Sequence, residues 1–355
     1  MNMVHRLGAI VTVVVLAAAC TETSTPPQDV FNRQQMLQEV ADGLIVPAFD
    51  TLLQRTDLLA AAVKRLSVAS SPEDVASAQS AWVSVAEAWQ DARLFSFGPA
   101  EGMFGTLAEN IGTYPVSVSK ITARIEAGDT ALRGFDRDAW GIYGAEYLLW
   151  NDPLTVHKLA YLRAVVAKVR AEVVSVAEAW RQSYRTTFVG RNGTDPGSGT
   201  SMLFNATIFS FEQMKNYGLG LPLGRLAGQS GPEPQAVEAY YSGRSRDLLK
   251  RHYAAVMRIW EGALPNGTKI QGFRDYLTTV ANGQRLIDET LVQHKRVEDA
   301  FASVPTSEPL SDLVRANDAS VMTLHTEVLK LTRFLKSELS SLLGIAITYS
   351  SGDGD

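Results

Sequence analysis

From Phe31 almost to its end, the chain repeats apolar residues at three- and four-residue spacing, and strand signals are almost absent. That spacing gathers apolar side chains on one face of a helix, whereas a half-buried strand needs a period of two. The pattern therefore predicts an all-α fold. "FNRQQMLQEVADGLIVPAFDTLLQRTDLLAAAVKRL" carries it first, with Pro47 an expected kink or break. "SPEDVASAQSAWVSVAEAWQDARLF" opens with Ser71 as a cap, Pro72 at the first helical position, and Glu73 and Asp74 in the first turn. Each of these suits the unpaired N–H groups and partial positive charge of a helix start. Further helices are expected over 103–125, 138–150, 155–188, 200–217, 234–263, 269–300 and 308–343. Gly/Pro/Ser/Asn clusters such as "GRNGTDPGSGTS" and "AGQSGPEP" separate them.

At 355 residues and 46% hydrophobic, the chain exceeds what one compact core usually holds, so two domains are expected. The division is placed between an N-terminal helical bundle, residues 31–152, and a C-terminal bundle, residues 153–355. "VSVAEAW" occurs at Val83–Trp89 and again at Val174–Trp180, each followed eight residues after its Trp by a Phe, Phe97 and Phe188. Such an echo fits either a duplication or two similar amphipathic helices. The net charge of −5 and the lack of a Lys/Arg run leave no electrostatic footprint for nucleic acid.

The first residues read as a targeting segment. Arg6 is followed by an uncharged apolar run from Gly8 to Ala19 and then by Cys20. The run is too short to span a bilayer and suits a signal-peptide core. Residues 1–19 are thus an expected signal peptide, 20–30 a polar, Pro-rich tether, and Cys20 a lipid anchor that holds the chain to a membrane. A plain secretory signal with a chance Cys is the alternative. A single cysteine forms no intramolecular disulfide.

"WGIYGAEYLLW", Trp140 to Trp150, contains one charge, Glu146. Trp140, Tyr143, Tyr147 and Trp150 fall at helical spacing, and Glu146 flanks their stripe. A helix apolar nearly all round is usually buried, and a buried carboxylate needs a cation, a donor or a proton. A metal ion would serve, and so would an internal ion pair. Four histidines follow the signal segment, His157, His252, His294 and His325, and none makes H-E-x-x-H. Glu87 and Arg93, on the tryptophan-rich helix, are candidate ligand-binding residues. No serine nucleophile elbow, phosphate loop or Cys/His metal cluster is found, so no catalytic residue is assigned.

"GIYGAEYLLW" resembles the G-x-H-x-x-E signature of the imelysin-like family, with Gly141 and Glu146 in place and Tyr143 where the His belongs. "AWVSVAEAWQDARLFSFGP", "MKNYGLGLPLGRL" and "LLGIAITYSSGDGD" resemble three further family stretches, in the family's order. The resemblance covers residues 30–355. It implies two related helical bundles with the motif helix near their interface, in a secreted or lipid-anchored protein of the cell envelope. It also implies a metal site, iron or zinc, on Tyr143 and Glu146. Tyrosine in place of His is a departure, because a phenol must lose a proton with pKa about 10 before it binds a cation well. Arg93 also stands where the family often has a Glu, which removes a possible acid and supplies an ion-pair partner for one.

Three functions follow from the resemblance. The first is a binding component in iron or haem acquisition, facing the periplasm from the outer membrane and partnered by iron- or haem-uptake proteins. The second is a metallopeptidase using the Gly-x-Tyr-x-x-Glu motif. The third is a structural interaction protein with a vestigial site.

Overall fold

Helix signals in the sequence become helices wherever a cap and an apolar face coincide. The computed structural model describes residues 31–102, 105–151 and 153–349. The expected signal segment 1–19, the tether 20–30 and Cys20 lie outside the described residues. The helices are α1 (Arg33–Val40), α2 (Val46–Arg65), α3 (Pro72–Ala92), α4 (Leu107–Ile111), α5 (Val118–Ala127), α6 (Gly141–Trp150), α7 (Val156–Ala179) and α8 (Arg185–Gly190). They continue with α9 (Gly199–Gln213), α10 (Ser245–Glu261), α11 (Phe273–Leu277), α12 (Gly283–Ser303), α13 (Leu310–Arg315), α14 (Ala319–Thr332) and α15 (Leu339–Leu343). Among the described residues the only sheet is the two-residue pair β1 (Glu101–Gly102) and β2 (Gly105–Thr106). No helix among them is long and apolar enough to cross a membrane.

The cap at Ser71 forms as expected. Its hydroxyl accepts from the Asp74 N–H, and the Asp74 carboxylate accepts from the Ser71 N–H. Pro47 does not break the chain. A π-helical turn at Ala41–Ile45 joins α1 to α2, and Pro47 stands in the first turn of α2, where a missing N–H is tolerated.

Helix α2 packs along α3 and α7, α6 lies against both α3 and α7, and α10 joins α3 to α9. Helix α12 pairs with α14. From Phe31 onward the chain holds together as one unit. The division expected after residue 152 falls between α6 and α7, which pack on each other, so α7 belongs with the N-terminal helices. The echoed heptapeptides meet in this core. Trp89 and Trp180 are both buried, Phe97 stacks on Phe188 at 5.5 Å, and Phe97 meets Trp180 edge-on at 5.8 Å.

Two expected helices depart furthest from expectation, and the second break makes the site. Residues 103–125 hold α4 and α5 with Pro115 between them. Residues 234–263 are helical only from Ser245, apart from a 3-10 turn at Pro234–Ala236. The stretch from Val237 to Arg244 is an irregular turn in which Ala239, fully packed, has φ +55°. The other expected helices hold with shifted ends and short interruptions, such as Asn282 at φ +63° ahead of α12.

Candidate functional site

Helix α6 is placed by backbone contact. Gly141 has φ +89°, and a Cβ there would lie 2.7 Å from the Ile111 carbonyl oxygen, so both the turn and the approach to α4 require glycine. The Trp82 indole donates to the Ile142 carbonyl at 2.7 Å, and the Tyr161 hydroxyl to the Ala139 carbonyl at 2.7 Å. Gly141 to Glu146 are all buried. Trp140 is buried, while Trp150 is half-buried and meets Trp82 edge-on at 5.2 Å.

Tyr143, Glu146 and Tyr147 of α6 face the turn ahead of α10. The Tyr143 hydroxyl donates a short hydrogen bond to Glu238 Oε1. The same oxygen accepts from Arg93 Nη1 at 2.8 Å and from Gln90 Nε2 at 2.9 Å. The Arg93 guanidinium also bonds the Tyr114 hydroxyl, and Tyr114 meets Tyr143 edge-on at 5.2 Å. Burial alone would lower the Arg93 guanidinium, but the Glu238 carboxylate, with Tyr143 and Tyr114, holds it above its ordinary value. Burial and then the Glu238 charge push the Tyr143 phenol well above its ordinary value.

Glu146 is 1% exposed and has different company. Its Oε1 accepts from the Ser242 N–H at 2.7 Å, with the Ser242 hydroxyl and the Tyr241 N–H alongside. No cationic side chain among the described residues pairs with it. Burial pushes its carboxyl up to about 7 against the pull of the Ser242 donors. The ion pair considered for Glu146 is therefore made by Glu238 instead, with Arg93 as its cation.

Two cavities adjoin this cluster and share Tyr114. One, of about 380 Å³, is bounded by Arg93, Tyr114, Ser210, Phe209, Gln213 and Tyr217. The Ser210 hydroxyl is 2.7 Å from His252 Nε2, and burial holds that imidazole well below its ordinary pKa, hence neutral at pH 7. The other, of about 350 Å³, is bounded by Tyr114, Tyr143, Glu146, Tyr240 and Tyr241.

The structure thus joins Tyr143 and Arg93 through Glu238 and sets Glu146 beside them. It separates Glu87, which lies on the exposed side of α3 with a side chain 3.7 Å from Arg251. Gln90 on the same helix and Arg93 in the 3-10 turn that follows it face inward. Glu238 escaped the sequence reading because "PQAVEAYYS" suits a helix. Pro232, Pro234 and Gly243 around it were the available sign of a turn.

Comparison with known proteins decides the family. Residues 45–337 match the family described as Peptidase_M75, imelysin. The chain belongs to the imelysin family. It is 20% identical over 274 residues to the iron-regulated protein A of Synechococcus elongatus, covering 72% of this chain and 70% of that one. An imelysin-like protein from Psychrobacter arcticum shares its fold with a TM-score of 0.71 at 21% identity, over 89% of this chain and 97% of that one. A protein assigned as an iron-regulated protein A precursor from Parabacteroides distasonis does so at TM-score 0.73 and 17% identity, over 90% and 97%.

The donor set of this imelysin-family site fits an iron or zinc ion poorly. Glu238 already accepts from three donors, one of them cationic. The phenol of Tyr143 is driven away from the deprotonated form that a metal would need. The Arg93 guanidinium would repel a dication placed among these groups. Among the described residues, no three His, Cys, Asp or Glu side chains converge to replace them.

Proposed function

We propose that this protein is an iron-linked binding component of the cell envelope, without general protease activity. The observation that carries the reading is the Arg93–Glu238 ion pair, with Tyr143 bonded to the same oxygen. A hydrolytic metal centre needs anionic donors left open for the ion and a position for water. Here a fixed guanidinium takes the place of the ion. The names of the Synechococcus and Parabacteroides relatives supply the iron link. On this reading the protein reaches the membrane through Cys20 and acts beside iron- or haem-uptake proteins.

Three measurements test it. Transcription should rise under iron limitation, and a constant level would remove the iron link. Purified protein supplied with Zn²⁺ or Fe²⁺ should leave casein and insulin B chain intact, and cleavage that disappears in Glu146→Ala would establish the peptidase instead. Wild-type protein should sediment with membranes, while Cys20→Ser should be released or left unprocessed. Identical soluble behaviour of the two forms would remove the anchor.

A further inference from the structure

The two buried carboxylates of the site are neutralised differently. Glu238 is closed by Arg93, Gln90 and Tyr143. Glu146 lies against a cavity of about 350 Å³ that Tyr114, Tyr143, Tyr240 and Tyr241 also line. That volume falls within the range of small-ligand sites, about 300–1,000 Å³. Pro115, Ser119 and Gln235 at its rim are exposed, so solvent reaches it.

We infer that this tyrosine-walled cavity binds a small primary ammonium ion, with Glu146 accepting its N–H groups and the phenol rings enclosing its apolar part. A carboxylate offers about four acceptor positions. The Ser242 N–H engages Oε1 of Glu146 and fixes its orientation, and three uncharged donors leave acceptor capacity for a group in the cavity that Glu146 lines. An anionic ligand would meet a like charge. A neutral one would cover the carboxylate and leave it without a counter-charge, a costly arrangement. A divalent metal would gain one carboxylate and neutral phenols, too few anionic donors to hold it. A monocation with an organic body meets the carboxylate, and the electron-rich faces of tyrosine attract it further. The inference stands independently of the iron-linked reading, which could fail without altering it.

Calorimetric titration of the purified protein with benzylammonium, butylammonium and the neutral isostere benzyl alcohol tests the inference at pH 8. Both ammonium ions should saturate one site, with benzyl alcohol weaker by about tenfold or more. Glu146→Gln should weaken benzylammonium by about tenfold or more and leave benzyl alcohol unchanged. Tyr241→Leu should weaken benzylammonium by about two- to fivefold through loss of one ring face. Absence of saturable binding by either ammonium ion, or equal binding of benzylammonium and benzyl alcohol, would overturn the inference. So would full affinity in a folded Glu146→Gln. The comparison of ligands on the wild type needs no variant, so poor folding of Glu146→Gln would not shelter the inference.

Discussion

Glu146 and Glu238 are both buried, Glu146 bonded to the turn ahead of α10 and Glu238 within it, yet among the described residues only Glu238 has a cation. Glu238 comes from an irregular turn and is tied to α3 by Arg93 and Gln90. Glu146 comes from a regular helix, and its donors are uncharged groups of Tyr241 and Ser242. Burial of a carboxylate therefore does not by itself mark a binding site. What distinguishes the two is whether the protein supplies the countercharge. The Glu238 side holds elements together, and the Glu146 side leaves a charge to be met by something from outside.

Breaking the closed side should have the largest effect. Arg93→Met strands Glu238 without its cation, and chemical denaturation should show a loss of about 3–5 kcal/mol. A loss below about 1 kcal/mol would mean that water or another group compensates Glu238 and that the side is not closed.

The open side should respond in the opposite direction. The folded-state Glu146 carboxyl keeps its proton to about pH 7, against an ordinary value of 4.5. Between those values the folded state binds more protons than the unfolded chain. The stability this group contributes is fully present below pH 4.5, declines as pH rises through 7, and is absent above it. Glu146→Gln should therefore stabilise the protein at pH 8, by about 3 kcal/mol at the upper bound, with the advantage disappearing toward pH 5. Urea melts of both forms across this range would show it, and a wild type whose stability rises with pH over the same window would refute it.

Metal affinity sharpens the contrast further. Tyr143→His restores an imidazole to the family motif but leaves Arg93 on Glu238. Its gain in Zn²⁺ affinity should stay small, and adding Arg93→Glu should raise affinity by about tenfold or more over the single variant. If Tyr143→His alone binds Zn²⁺ as well as the double variant, Arg93 does not govern the site.

The smallest effect is expected at the turn that serves both carboxylates. Ala239 adopts φ +55° directly after Glu238, a conformation that costs an alanine about 1–2 kcal/mol. Ala239→Gly should relieve this, offset by the extra freedom of glycine in the unfolded chain, for a net gain of about 1 kcal/mol or less. Thermal melts would detect it, and a clear loss would mean that the Ala239 methyl does more in packing than the backbone costs.

Much of this architecture was legible from periodicity. The 3.6-residue pattern placed the long helices, Ser71-Pro72 placed the start of α3, and the lone charge between Trp140 and Trp150 identified a buried carboxylate. The partner of Arg93 was not legible. Local propensity assigned Glu238 to a helix, whereas Glu238 joins Tyr143 and Arg93 through contacts distant in sequence that no local pattern encodes. The echo of "VSVAEAW" left open whether two helices are related by duplication or merely alike. Its tryptophans lie in one core, because the helices that carry them, α3 and α7, both pack on α2.

Carbon-13 NMR titration of the side-chain carboxyls measures the difference between the two glutamates most directly. One carboxyl should titrate near pH 7, and that transition should be absent from Glu146→Gln. It should move to lower pH when benzylammonium is bound, because a cation favours the carboxylate. A Glu146 carboxyl that titrates in the ordinary range, about 4, without any ligand would contradict this, since it would mean that the protein already supplies the charge that Glu146 is said to lack.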